Sequence, residues 1–240
     1  CALRTNGSVA CWSSESAGAL GAEERAVRAA TEVPGVHDAV GLAVGGDHGC
    51  VVIRGGAVAC WGEGLSGALG TGDWEPRSTP ATVLGLGPVV QVVAGSGYTC
   101  AVLTSGTVSC WGTHPAEAMI QGSRAPSERP EPLLALRDVA ELSAGDDFAC
   151  AVRTDHSVAC WGESFHGELL GRFPTDSSAP VELPELGGAA QLALGHRFGC
   201  ARGGDGSVSC WGRNDAGQLG RGVVSGEAGA LAPVVWCSLE

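Results

Sequence analysis

Residues 100–111 read CAVLTSGTVSCW, and four other stretches follow the same plan: CALRTNGSVACW from Cys1, CVVIRGGAVACW from Cys50, CAVRTDHSVACW from Cys150 and CARGGDGSVSCW from Cys200. The two cysteines of each stretch are ten residues apart, and successive stretches begin 49, 50, 50 and 50 residues apart. A fixed period of this size marks a repeat architecture: a solenoid, a propeller or an array. Valine stands two residues before each second cysteine and tryptophan directly after it (Trp12, Trp61, Trp111, Trp161, Trp211), so five of the seven tryptophans are one position used five times. They are read as scaffold, not as five binding features.

Each stretch is expected to be a β-hairpin. Apolar residues flank a short turn carrying glycine, as in Thr104-Ser105-Gly106 or Thr5-Asn6-Gly7. Such a three-residue loop, ending on a left-handed glycine, makes a type I turn with a bulge. Centring it on Ser105 puts Cys100 opposite Cys110, within cross-strand reach for a disulfide. In the fourth unit His156 replaces the glycine, which should strain that turn slightly. Before each hairpin runs an alternating apolar stretch closed by glycine, such as 90–95 or 190–195, read as a further strand. After each tryptophan comes a glycine-marked loop and then a proline-bearing stretch (Pro80, Pro130 and Pro132, Pro180, Pro233). Proline belongs at a sheet edge, so this is expected to be the outermost strand. Four strands per fifty residues are the blade of an all-β propeller. A helical turn over residues 22–31, rich in alanine and glutamate, is the one competing element.

Of the 240 residues 44% are apolar and 17% charged, which is the balance of a folding chain. The net charge is −12, and all fourteen basic residues are arginine. Phosphate backbones would be repelled over most of such a surface, so no nucleic-acid partner is expected. No apolar run reaches the eighteen or so residues of a membrane span, so no membrane insertion is expected, and no secretory leader is read at the start.

The phrase Trp211-Gly212-Arg213-Asn214-Asp215-Ala216-Gly217-Gln218-Leu219-Gly220 resembles the W-G-x-N-x-x-G-Q-L-G signature of the regulator of chromosome condensation repeat. The upstream glycine-to-aromatic spacing does so too: Gly45 to His48, Gly95 to Tyr98, Gly145 to Phe148, Gly195 to Phe198. The resemblance covers nearly the whole chain; only the last copy matches the loop signature fully, and 112–120 departs from it. It implies a β-propeller of four-stranded blades with residues 1–240 in one domain. The family commonly has seven blades. The five repeats here are read as a fragment of a longer ring, or as a small ring closed with the help of residues 232–239. Function varies within the family. The eukaryotic namesake is an exchange factor for a small GTPase that docks on chromatin, one relative is a plant ultraviolet photoreceptor, and secreted bacterial propellers inhibit β-lactamases. The photoreceptor's chromophore repeats have no counterpart here, units held to fifty residues leave no room for the exchange factor's inserted wedge, and its basic face is missing.

Ten cysteines in five hairpin pairs point to disulfides and an oxidising compartment, with Cys237 off-phase. The alternatives are reduced core cysteines, or zinc, for which neither C-x2-C nor paired histidine spacing exists. Gly62-Glu63-Gly64-Leu65-Ser66-Gly67 matches a phosphate-loop pattern by letters but sits in the repeat loop. Asn6-Gly7-Ser8 is formally a glycosylation acceptor that turn geometry alone explains. His48, at the repeated aromatic position, is expected to be packed. No catalytic, cofactor or metal residue is assigned.

What varies between units is then free to specify a partner. Large unrepeated side chains collect in the post-tryptophan loops: Leu65, Trp74, His114, Met119, Phe165, His166, Phe173, Arg213 and Asn214. Aromatics with arginine are what interface hot spots are made of. For Leu65, Ile120 and Leu219, packing between blades is the plainer alternative. The expected protein is a non-enzymatic, bacterial-style scaffold that binds another protein, inhibition included, and is secreted, periplasmic or on the cell surface. A cytoplasmic exchange-factor-like regulator of a small GTPase is the alternative, and an enzyme or carbohydrate-binding propeller a third.

Overall fold

The computed structural model describes residues 1–12, 29–113, 126–170 and 177–234. The chain forms five antiparallel sheets. The first has three strands, β1 (Ala2–Leu3), β2 (Val9–Cys11) and β3 (Thr31–Glu32). Four four-stranded sheets follow: β4–β7 (Ala39–Val44, His48–Ile53, Val58–Gly62, Arg77–Thr82), β8–β11 (Val89–Ala94, Tyr98–Leu103, Val108–Gly112, Ser127–Pro132), β12–β15 (Val139–Ala144, Phe148–Arg153, Val158–Gly162, Ser177–Glu182) and β16–β19 (Ala189–Gly195, Phe198–Gly203, Val208–Asn214, Ser225–Pro233). Strand order within each sheet is chain order, as in the blade of a β-propeller. Two compact units divide the chain, Cys1–Asp138 and Val139–Glu240.

The hairpins have the expected register. Cys110 faces Cys100, and Cys60, Cys160 and Cys210 face Cys50, Cys150 and Cys200. All four pairs and Cys1–Cys11 are disulfide-bonded. The turn residue is left-handed in every copy, Gly106 at φ +74° and His156 at +63°, so histidine carries a strain that glycine does not. The glycine that follows Trp61, Trp111, Trp161 and Trp211 has a different reason. Gly112 has φ +94° where the ladder to β11 shifts register, and a Cβ there would stand 2.4 Å from the Gly97 carbonyl oxygen. Where proline lies within a strand, among the described residues, the strand is an outermost one, β7, β11, β15 or β19, where a missing N–H costs no ladder bond to a central neighbour.

Within each unit, the sheets join by bonds at a nearly constant sequence offset. The Trp111 indole N–H donates to the Ala68 carbonyl at 2.7 Å, and Trp211 to the Glu168 carbonyl at 2.7 Å, both 43 residues upstream. The rings of Trp61, Trp111, Trp161 and Trp211 are fully buried, but Trp12 is 50% exposed. The carbonyl-bearing loop of the preceding repeat covers Trp111 and Trp211. Apolar residues of neighbouring sheets complete the core, with Val52, Val58, Leu69, Val92 and Trp111 in one cluster. The helical alternative over 22–31 does not hold at its end, where Thr31 is in β3; residues 22–28 lie outside the described residues, as do 235–239, Cys237 among them.

His48 is packed, as its column implied. It is 1% exposed, and its Nε2 lies 2.7 Å from Thr99 Oγ1. The Thr99 hydroxyl proton goes to the Ala68 carbonyl at 2.8 Å, so Thr99 accepts from a neutral His48 protonated on Nε2. Burial lowers the pKa of His48 to about 4. Unfolded histidine titrates near 6.5. Below that pH the unfolded chain takes up a proton that the folded one refuses, so this group's penalty is absent above pH 6.5 and grows as pH falls toward 4, reaching about 3 kcal/mol. His48→Phe, matching Phe148 and Phe198 in the same column, should flatten the loss of urea-denaturation stability between pH 6.5 and 4; an unchanged pH slope would remove the assignment.

Candidate interaction loops

The loops after β6, β14 and β18 share one design. In the last, Asn214 Oδ1 accepts the Leu219 N–H at 3.2 Å, while its Nδ2 donates to the Val223 carbonyl at 3.0 Å and to Ser225 Oγ at 3.3 Å. Ser164 does part of this in the loop after β14, its Oγ accepting the Leu169 N–H at 3.2 Å. Gly64 holds the same position after β6. The leucine five residues on (Leu69, Leu169, Leu219) is buried in all three. The residue after this position faces outward in all three loops. It is Leu65, Phe165 or Asp215, with Leu65 72% and Phe165 62% exposed.

In the first unit, Leu65 and the partly exposed Trp74 project from the same loop, and Trp74 lies against Gly67, whose Cβ would come within 2.9 Å of the ring. Glu63 Oε1 accepts the N–H groups of Gly64 and Leu65 at 2.9 and 3.0 Å, and Arg77 pairs with Asp73 at 2.6 Å.

In the second unit Phe165 stands beside a charged group. His166 Nε2 lies 3.2 Å from Arg197 Nη1, and the His166 backbone N–H donates to Glu168 Oε2 at 2.7 Å. Burial raises the pKa of Glu168, while the backbone hydrogen bonds and the charges of His166 and Arg197 oppose it. His196 Nδ1 meets Asp146 Oδ2 at 2.5 Å, and Arg213 pairs with Asp215, a hydrogen bond that, with another from Gln218, holds the Asp215 carboxyl below its usual range. Val223 and Val224 add exposed apolar surface.

Of the expected contact residues, Leu65, Trp74 and Phe165 are on the surface, and His166 and Arg213 are half-buried. Asn214 is not a contact residue: it is 2% exposed, because all its polar atoms are used in holding its own loop. Leu65 is on the surface and does not pack between sheets, whereas Leu219 is buried. His114, Met119, Ile120 and Phe173 lie outside the described residues. His196, Arg197 and Asp146 were not picked out. Their signal was the fifty-residue offset itself, since 146 and 196 are one column in successive repeats and therefore face each other. The phosphate-loop pattern 62–67 follows a strand but opens no helix. Among the described residues no group of three His, Cys, Asp or Glu could hold a metal, and no helix is long and apolar enough to cross a membrane.

Two family models for the regulator of chromosome condensation (RCC1) repeat match residues 55–102 and 139–168. No curated protein matches the sequence. Among solved structures, Prp20p from Saccharomyces cerevisiae, reported with its binding properties to Gsp1p and histones, aligns at 23% identity over 99% of this chain and 61% of that one, with a TM-score of 0.83. Yeast RCC1 (Prp20) bound to Kap60 aligns at 22% identity over 94% and 57%, with a TM-score of 0.73, and human WBSCR16 at 21% over 90% and 58%, with 0.75. The chain spans about three fifths of the length of these structures.

Lock and exposed position should separate in a thermal or urea melt. Asn214→Ala leaves the Leu219 N–H and Val223 carbonyl without their partner and is expected to cost about 1–3 kcal/mol. Phe165→Ala should stay within about 0.5 kcal/mol of the parent.

Proposed function

For a chain built of regulator of chromosome condensation repeats, we propose the role of a protein-binding β-propeller scaffold, residues 1–240 forming one propeller domain, that works outside the reducing cytosol without catalysing a reaction. The observation that carries it is the outward position of the post-tryptophan loops. One loop, held by the Ser164 hydroxyl, presents Phe165, and another, held by the Glu63 carboxylate, presents Leu65; each side chain is large, apolar and mostly in water on a backbone already tied by hydrogen bonds. A preorganised loop loses little entropy on binding, and an aromatic anchor flanked by arginine is the usual form of an interface hot spot. The yeast structures with the same fold are described with protein partners, which supports binding as the use of the fold. Phe165, Leu65 and Trp74 are the proposed anchors, with His166 and Arg213 beside them; obstructing the partner's own site is the simplest effect such a binder would have.

A secreted, periplasmic or cell-surface location is supported by the five disulfides, since bridges persist where thiols are oxidised. Each closes a short loop and, in the chain-entropy model, stabilises by about 2–3 kcal/mol. Thiol titration of the denatured, unreduced protein from its native source should find one thiol per chain, that of Cys237; ten or eleven would place it in a reducing compartment.

Affinity capture with the oxidised protein tests the binding face. Partner recovery should fall roughly tenfold for Phe165→Ala or Trp74→Ala, as expected for truncated hot spots. Equal recovery by parent and both variants would remove this face from the proposal.

A further inference from the structure

The strand ends opposite the loops differ in one repeat. Arg4, Ile53, Leu103, Arg153 and Gly203 occupy one column, each three residues after the first hairpin cysteine. In four copies a long side chain lies there. In β13 it is Arg153, whose guanidinium donates to Ser157 Oγ at 3.0 Å and to the two Glu182 oxygens at 2.9 and 2.6 Å. Arg4 pairs with Glu32 in the matching places of the first sheet. In β17 the position is Gly203, and beside it is a cavity of about 140 Å³, walled by Leu186, Ala189, Ala201 and Leu231 and reached by Ser207 and Glu185. A cavity of roughly this size holds a benzene-sized group, and a guanidinium is no larger.

The backbone and the oxygens around this cavity copy the arginine-bearing repeat. The Arg153 N–H donates to the Ser157 carbonyl at 2.9 Å, and the Gly203 N–H to the Ser207 carbonyl at 2.9 Å. Asp155 Oδ1 accepts the Ser157 N–H at 2.9 Å, and Asp205 Oδ1 the Ser207 N–H at 2.9 Å. A Cβ on Gly203 would stand 2.8 Å from Asp205 Oδ1 and 2.9 Å from Ser207 Oγ, so these oxygens lean over the place where the side chain would emerge. The counterpart of Glu182 is Pro233; the carboxylate in the cavity lining is Glu185, and Asp205 lies next to the lining, its Oδ1 accepting the Ser207 hydroxyl at 2.6 Å as well as the Ser207 N–H.

We propose that the cavity beside Gly203 receives an arginine side chain from a protein partner, which takes the place that Arg153 fills from within in the fourth repeat. An aliphatic wall suits the stem and the oxygens suit the planar head. The chain's net charge of −12 favours a basic partner segment over an acidic one. The site is at the hairpin end of β17 and β18, away from Arg213 at the other end of β18, so it stands or falls independently of the loop face.

Amide NMR of the oxidised protein with a capped Gly-Arg-Gly peptide tests it. At millimolar peptide, the Gly203 and Ser207 amides should shift with saturation, and the citrulline peptide, equal in shape but uncharged, should leave them still. Asp205→Asn keeps the oxygen that accepts the Ser207 N–H but not its charge, and is expected to bind about tenfold more weakly. Gly203→Arg, which supplies the group in cis, should abolish the shifts while keeping the turn's amide pattern. Equal shifts with citrulline, undiminished binding by Gly203→Arg, or no shifts at all would each overturn the proposal.

Discussion

The bond from a tryptophan indole to a carbonyl in the loop 43 residues earlier is the constraint on which the other features depend. A sheet of four short strands has one face that it cannot bury alone, and the large Trp111 or Trp211 ring covers that face only if the preceding loop comes down over it. The loop must then present its carbonyl at one fixed height. That explains why leucine is buried five residues after residues 64, 164 and 214, and why in two of these three loops a polar side chain, Ser164 or Asn214, holds the leucine N–H. It also explains the constant spacing inside this one chain: a residue added between tryptophan and leucine would move the carbonyl off the next indole.

Because the bond fixes the offset, contacts between sheets can be counted along the sequence. His48 meets Thr99, Leu192 meets Glu141, Leu194 meets Ser143 and His196 meets Asp146, all at fifty or fifty-one residues. The hairpins, cysteine pairs, outer proline strands and packed His48 were legible in the sequence for this reason. Repetition averages out local ambiguity, and a column that is apolar in one copy must be inside in the others. The failures fell where a column changes character. Asn214 and Phe165 are neighbours in the alignment, and both look like unrepeated polar or aromatic decoration. Only the hydrogen bonds show that the first turns in and the second out.

Strand ends therefore divide the labour. At the loop end, variation is allowed wherever the lock faces away, and the second unit places Phe165 beside His166 and Arg197 there. At the hairpin end, the turn is held by the left-handed residue and by the Asx bond from Asp155 or Asp205, and the residue before it varies between arginine, leucine and glycine while the backbone bonds of the turn recur. Replacing a side chain by glycine at such a place removes volume but not geometry.

Among the described residues every cystine joins two strands of the same hairpin, and none ties one sheet to the next. Under mechanical tension the cross-links would leave the seams between repeats as the weak planes. Each separated repeat would lengthen the tether only by the segment outside its bridge, because about ten residues, or roughly 35 Å of extended contour, stay locked within each cystine. A sawtooth of equal, foreshortened steps is the extension curve to which such local stapling leads.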